Sequence, residues 1–486
     1  MKRAPRSLLV PFGSFVVACS LGVACSSGDG GGGGGADTGL GVDSGAGVDG
    51  GSDTSTFTPD TSCTPKSTSC EGSNVVTCGD DGKLHVTLAC PQGTLCVTGH
   101  CDDERCADET AVPREFALPN NAWPKYRHDN RNSGWTRAIV ADTPKLKWKA
   151  FVGGGYRDAG LASGAVINQD NRVFIGAGDK DGKGGSFYAF DPLGKPVYTY
   201  LAKRGWGLST PAVRQDGTAY FAAQDSFLYA VKPDGTTLWT YKTGANADSD
   251  PIVTREGTLI YTSDDGSVYA LDPTGKLLWK SDAATGPGEV DGGVAQACDG
   301  RVVVGGRNGW FAHAVGDGTV VWKVAGDAVS STPLLAADGT MYGLDSGSKA
   351  WAIDKSGKVL WSQAVGSGSI STGMARIASM LFVVTLDGNL HALDAKTGVE
   401  LWAKPAGNTA VGTGEQVAAP VVDGNMHVYF SGTDGFVRAW DTTGKELWKI
   451  AASGTASGVS WAGNLAIGAD GTLYVPGNDG YLYVFQ

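Results

Sequence analysis

Apolar and polar residues alternate with a period of two through the stretch 208–239, LSTPAVRQDGTAYFAAQDSFLYAVKPDGTTLW, with no helical spacing. The alternation breaks at Asp216-Gly217, at Gln224-Asp225 and at Asp234-Gly235. Gly accepts the positive φ that tight turns require, and Asp supports the turn with its side chain. The stretch therefore predicts four short strands joined by turns.

The same unit recurs along the chain. Strands that end in Ala plus an apolar residue read SFYAF (186–190), FLYAV (227–231), SVYAL (267–271), FAHAV (311–315), KAWAI (349–353), NLHAL (389–393) and FVRAW (436–440), and YLYVF (481–485) has Val484 in place of Ala. A Gly-bearing turn and an aromatic accompany each unit. The aromatics are Trp148, Tyr198, Trp239, Trp279, Trp322, Trp361, Trp402 and Trp448, at intervals of 39 to 50 residues. Four strands in about 40 residues make one blade of a β-propeller.

The two ends of the array are each incomplete. KLKWKAF around Trp148 is a fourth strand with no third before it, and YLYVF at the C-terminus is a third strand with no fourth after it. If 144–151 completes the last blade, the ring closes with eight blades and no free sheet edge between them. The predicted fold is all-β: an eight-bladed β-propeller of four-stranded blades, closed by an N-terminal strand and preceded by a small disulfide-rich module. The eight aromatics are read as blade-docking residues rather than ligand-stacking ones. Burying each is worth about 1.5–3 kcal/mol.

Upstream of the array the composition changes three times. MKRAPR is basic, and the apolar SLLVPFGSFVVACSLGVAC follows it, so 1–24 reads as a signal peptide. Small residues before a Cys resemble a bacterial lipobox, with Cys25 as the lipidated residue, Cys19 as the alternative, and ordinary secretion as a third reading. Ser26, where inner-membrane retention often has Asp, makes the resemblance imply the outer membrane. Residues 25–62 form a Gly/Ser/Asp-rich tether with an expected root-mean-square reach of about 33 Å. No later stretch has the 18 or so apolar residues of a membrane span.

Cys63, Cys70, Cys78, Cys90, Cys96, Cys101 and Cys106 mark a module over 63–106. The CxxC spacing of a zinc ribbon is absent, so disulfides are expected and no metal. Asp81-Gly82 predicts a turn between short strands. Seven is odd, and Cys298 is the other candidate for a bridge; a clamp onto the main body and a buried free thiol both stand open. A lead-in, 107–143, joins the module to the propeller at 144–486. The formal net charge of −11 disfavours nucleic acid and anionic lipid as partners.

The sentences ALDPTGKLLW (270–279), AIDKSGKVLW (352–361), ALDAKTGVELW (392–402) and AWDTTGKELW (439–448) resemble the tryptophan-docking repeats of pyrroloquinoline-quinone (PQQ)-type propellers, the quinoprotein alcohol dehydrogenase-like superfamily. WPKYRHDNRNSGWTRAIVADTPKLKW (123–148) resembles the lead-in of exported members, so the resemblance covers about 123–486. It implies the fold strongly and activity weakly. Enzymes of that group hold the quinone in the central channel with Ca²⁺, an Asp base, a Trp floor and often an adjacent Cys pair. This chain has no adjacent Cys pair, no CxxCH haem motif, and short regular units.

First strands should line the channel, and their starts carry Asp248, Asp250, Glu289, Asp291 and Glu415. Such acids either bind Ca²⁺ or act as acid and base, or are solvated loop residues. Trp206 and Trp461 lie near inter-blade connections and can either reach the channel or cover blade ends. His313 and His391 stand at third-strand positions otherwise filled by Tyr, Trp or Arg, and read as packing variants. His128 reads as a turn cap, and DKDGKGG (179–185), which lacks the later Glu of a Ca²⁺ loop, as a Gly-rich turn.

The expected function is that of a non-catalytic, lipid-anchored, monomeric propeller that binds a protein or glycan, facing the periplasm or the cell surface from the outer membrane. One alternative is a propeller lipoprotein of the outer-membrane assembly type. The other is a PQQ-dependent dehydrogenase. No catalytic residue and no cofactor are expected under the first reading; PQQ and Ca²⁺ belong to the last.

Overall fold

The computed structural model describes the backbone of five strands between Thr68 and Asp102, and residues 123–486 apart from 154–162, 179–184, 204–207, 248, 283–291, 329–330, 367–372, 386, 408–417, 433, 452–463 and 478. Within the cysteine-rich segment, Thr68–Glu71, Asn74–Cys78 and Leu84–Ala89 form an antiparallel three-stranded sheet, and Leu95–Val97 pairs with His100–Asp102. The Asp81-Gly82 turn lies outside the described residues.

Eight four-stranded antiparallel sheets follow, and no helix occurs among the described residues. Seven blades are continuous, spanning 166–201, 212–242, 252–281, 295–324, 334–364, 375–405 and 421–451. The eighth takes three strands from 466–485 and its outermost from Leu146–Phe151. Val484 stands opposite Trp148 across that seam. The two ends of the repeat array clasp where the other blades have a turn: Lys145 N–H donates to Gln486 O and Gln486 N–H to Lys145 O, both at 2.9 Å.

Apolar contact between neighbouring blades makes the array a ring. Blades 1 and 2 share one cluster (Phe187, Phe221), blades 2 and 3 another (Tyr220, Tyr261), and so on. The last cluster joins Tyr429 of blade 7, Tyr474 of blade 8 and Ile175 of blade 1, which closes the circle. Middle strands such as Leu259–Ser263 and Ser267–Leu271 are buried throughout, whereas fourth strands alternate between solvent and the next blade.

The repeated Ala and the repeated aromatic are cross-strand partners. Ala189 faces Tyr198, Ala230 faces Trp239, Ala270 faces Trp279, Ala352 faces Trp361, Ala392 faces Trp402 and Ala439 faces Trp448, each followed by a bulge. The fourth blade corrects the sequence register. Ala312, not Ala314, faces Trp322, so His313 falls one position after the Ala, where other blades have Val231, Leu271 or Ile353. FAHAV contains two Ala two residues apart, and a period-two pattern cannot choose between them. His313 is fully buried, stacks on Trp279 at 6.2 Å and bonds Gly318 O through Nδ1 at 3.0 Å; burial holds its basicity below the ordinary value.

Candidate functional site: the inner wall and its lead-in

In a closed ring of up-and-down blades the first strands form the inner wall, and each has an inner edge whose backbone groups need partners. The lead-in supplies them blade by blade. Trp123 exchanges two backbone hydrogen bonds with Ile167 of blade 1 (3.0 and 2.7 Å), and Pro124 O accepts from Val213 N–H of blade 2 at 2.8 Å. Asn130 donates through Nδ2 to Val253 O of blade 3 at 2.9 Å and accepts from Gln296 N–H of blade 4 at 2.6 Å. Arg131 O, Ser133 O and Gly134 O accept from Leu335, Arg376 and Val422 of blades 5, 6 and 7 at 2.8, 3.0 and 2.8 Å. At blade 8 the chain passes so close that a Cβ on Gly471 would lie 1.9 Å from Ile139 O.

One segment of fewer than twenty residues thus bonds the first strands of blades 1 to 7 in order and then passes the first-to-second turn of blade 8. This curvature needs unusual backbone, and Arg127, His128, Asn132 and Gly134 all have φ between 58° and 76°. Asn and Gly tolerate that region at low cost.

The side chains of this loop close the middle of the ring. Lys125 is buried, and its Nζ bonds Tyr126 O, Asp129 O at 2.9 Å, and Asn132 Oδ1. Asn132 in turn donates to Val294 O at 3.0 Å and Pro333 O at 2.9 Å, bridging blades 4 and 5. Arg127 is buried and donates to Pro420 O at 2.7 Å and to Met374 O, bridging blades 6 and 7. Burial pulls the Lys125 ammonium down to about 7, although Asp129 and Asp250 oppose the shift; burial also brings Arg127 down to about 10.

Three residues before the lead-in contacts of blades 1 to 7 the inner wall carries Gly164, Thr210, Asp250, Gly293, Thr332, Gly373 and Ala419, and blade 8 has Asn464 at the equivalent place, two residues before its first strand. They link blade to blade. Gly164 N–H donates to Thr210 Oγ1 at 3.0 Å, Thr210 N–H to Asp250 Oδ1 at 2.6 Å, Gly293 N–H to Thr332 Oγ1 at 2.8 Å, and Ala419 N–H to Asn464 Oδ1 at 2.9 Å. Of the acids singled out from the sequence, Asp250 is in this ring. Asp248, Glu289, Asp291 and Glu415 lie outside the described residues, as do Trp206, Trp461 and 179–184.

The described ring therefore offers one carboxylate, and one of its oxygens is already an acceptor within the wall. No group of three or more His, Cys, Asp or Glu among the described residues is placed to hold a metal ion.

His391 and His128 occupy structural positions. His391 Nδ1 meets Glu400 Oε2 at 2.7 Å and its Nε2 meets Thr385 Oγ1 at 2.9 Å and Asp387 Oδ1 at 3.6 Å. Other blades make the same turn-to-strand clasp with other donors: Tyr483 to Asp479 at 2.6 Å, Trp351 to Asp345 at 2.8 Å, and Arg438 to Asp434. His128 lies 5.0 Å from the Trp123 ring, inside the lead-in. Sequence reasoning missed Lys125, Arg127, Asn130 and Asn132; the available signal was a dense run of cations and amides, YRHDNRNSG, with no strand pattern of its own.

The docking aromatics sit at the outer side of each blade and reach the next one. The Trp239 indole lies over Gly275 of the following blade and donates to Pro273 O at 2.9 Å. Trp148, Trp279, Trp361 and Trp402 do the same with Pro192 O, Val315 O, Ala395 O and Thr442 O, at 3.2, 2.8, 3.0 and 2.9 Å.

Comparison with known proteins places these repeats. The family profile described as outer membrane protein assembly factor BamB matches residues 264–486. Quinohemoprotein alcohol dehydrogenase ADH IIB of Pseudomonas putida is 34% identical over 139 residues, covering 25% of this chain and 20% of that protein. Outer membrane protein assembly factor BamB of Escherichia coli K12 is 27% identical over 157 residues, covering 30% and 38%. The match thus spans between a fifth and two fifths of these relatives. Among solved structures, BamB from Moraxella catarrhalis aligns over 71% of this chain and 100% of its own, with TM-score 0.55 and 16% identity. A europium-containing methanol dehydrogenase aligns over 77% and 100%, with TM-score 0.58 and 14% identity; both likenesses concern the fold.

Proposed function

We infer that this ring of PQQ-like propeller repeats is a non-catalytic scaffold of the cell envelope, similar in kind to an outer-membrane assembly factor. It would be lipid-anchored through Cys25 and tethered by 25–62. The observation that carries the reading is the lead-in: 123–136 is hydrogen-bonded to the first strands of blades 1 to 7 and uses them for the chain's own closure. A wall whose polar groups are spent on holding the ring has its binding capacity on the outside.

The lead-in crosses at the end where first strands turn into second strands. The opposite end, with the second-to-third turns that carry Asp225, Asp265, Asp345, Asp387, Asp434 and Asp479, is the face offered to an envelope protein. Similarity to BamB proteins supports a protein partner ahead of a glycan.

In-situ cross-linking of the full-length protein in native envelopes, followed by capture, tests the reading. The expected product joins the second-to-third turns to an integral outer-membrane protein. The dehydrogenase relatives favour the second reading, tested by adding PQQ and Ca²⁺ and following dye reduction with a primary alcohol. Robust quinone-dependent turnover would overturn the scaffold.

A further inference from the structure

We propose that Cys298 is bridged to a cysteine of the 63–106 module, so that the module is fastened covalently to the lead-in end of the ring. Cys298 is disulfide-bonded. Every other cysteine of the chain lies between 19 and 106. Cys19 and Cys25 belong to the segment read as signal and lipid anchor, which leaves the seven module cysteines. Seven cannot all pair among themselves, and Cys298 makes eight.

The surroundings of Cys298 are built to hold it still. It lies in the first-to-second turn of blade 4, where Arg255 of blade 3 donates through Nη2 to Ala297 O at 2.6 Å and to Cys298 O at 2.8 Å. Gly300 N–H closes the turn onto Ala297 O at 3.1 Å, and Arg301 pairs with Asp299 at 2.6 Å. Two residues earlier, Gln296 N–H is bonded to Asn130 of the lead-in. Trp123, where the chain arrives from the module, is bonded at Ile167, beside the corresponding turn of blade 1. The peptide connection and the bridge therefore meet the ring at the same end.

Forming the bridge removes one proton and one electron from each of two thiols. A disulfide-donor protein of the exported compartment accepts them and leaves as a dithiol, which fits an exported chain.

The test uses the full-length protein matured by export. Free thiols are blocked under denaturing, non-reducing conditions and the digest is mapped by mass spectrometry. The expected result is a Cys298 peptide linked to a peptide from 63–106. A Cys298 that carries the blocking group, that is linked to Cys19 or Cys25, or that bridges two copies of the chain overturns the proposal. A protease site inserted within 107–122 gives a second readout on denaturing gels. After cleavage the module should stay with the ring until reductant is added, and in Cys298→Ser it should separate without reductant. Separation of the unsubstituted chain without reductant would contradict the bridge. Neither readout depends on partner binding, so failure here leaves the scaffold reading to be judged by cross-linking and dye reduction.

Discussion

The guanidinium of Arg301 holds the backbone carbonyl of Lys355, the carbonyl that stands where other blades offer an acceptor to the docking indole. Trp322, the indole that packs over Gly357 in the same turn, has its Nε1 buried without an acceptor. The first blade repeats the arrangement. Arg172 donates to Pro233 O at 3.3 Å, and the docking aromatic beside it is Tyr198, the one position of the eight that is not Trp. Both arginines begin or immediately precede the second strand of their blade, so at seven of the eight inter-blade joints one carbonyl is claimed either by the indole or by an arginine.

A matched pair of substitutions tests this. Trp322 and Trp361 are each 8% exposed, but only Trp361 donates, to Ala395 O at 3.0 Å. Trp361→Phe should cost about 1 kcal/mol more than Trp322→Phe in denaturant unfolding, the net worth of one hydrogen bond. In an Arg301→Ala background Lys355 O becomes available to Trp322, and the gap should shrink. Equal costs in both backgrounds would show that the carbonyl contributes nothing.

Glycines beneath the indoles should be less replaceable than glycines of equal backbone geometry elsewhere. Gly275 and Gly300 have φ of +86° and +85°. A Cβ on Gly275 would lie 2.7 Å from Trp239 Cδ2, whereas at Gly300 the nearest atom is 3.8 Å away. Gly300→Ala should cost about 1–2 kcal/mol, the strain of the left-handed region alone. Gly275→Ala adds an overpacking term of about 1–3 kcal/mol. Calorimetric or denaturant midpoints decide the order.

Lys125 gives the fold a pH signature. Its ordinary value is 10.5 and burial brings it down to about 7 in the folded chain. Between those values the unfolded chain binds a proton that the folded chain has released, so stability rises with pH; below about 7 both forms hold it and the contribution is flat. Melting measured from pH 7 to 9 should therefore show an upward component that Lys125→Met lacks. The substitution itself should cost about 2–4 kcal/mol, because Asp129 O, Tyr126 O and Asn132 Oδ1 lose their donor. An unchanged slope would place the ammonium in water.

The seam of the eighth blade predicts a cooperative penalty. Without 144–151, Tyr481–Phe485 becomes a free edge, with Tyr483 and Val484 losing Lys149 and Trp148 as partners. A chain in which 144–151 is replaced by a Gly/Ser stretch of equal length, with the lead-in left in place, should lose its single sharp transition and aggregate, and a replaced chain that melts like the unaltered one would contradict the seam.

The ring was readable because its instructions are local and repeated. Asp-Gly turns, period-two strands and a large aromatic every forty or so residues specify a blade without reference to anything distant, and two half-blades specify the closure. Where two Ala stood two residues apart around His313, alternation had no means of choosing the register; the cross-strand partner of Trp322 settles it. The inner wall was illegible for a different reason. Arg127 and Asn132 acquire meaning only when carbonyls from residues more than 150 positions away converge on them, and nothing in YRHDNRNSG announces that. Asp250 was found as a wall residue, but its role as acceptor for Thr210 N–H depends on the neighbouring blade.

Hydrogen–deuterium exchange of peptides covering 123–143 tests the central claim most directly, since a segment that serves as the common partner of seven first strands must be as protected as they are. The amides of Trp123 and Thr136, which donate to Ile167 O and Val422 O, should exchange on the slow timescale of the middle strands. Exchange of this segment within seconds, while the blades stay protected, would mean that the lead-in does not fill the ring and that the inner wall is open to a ligand.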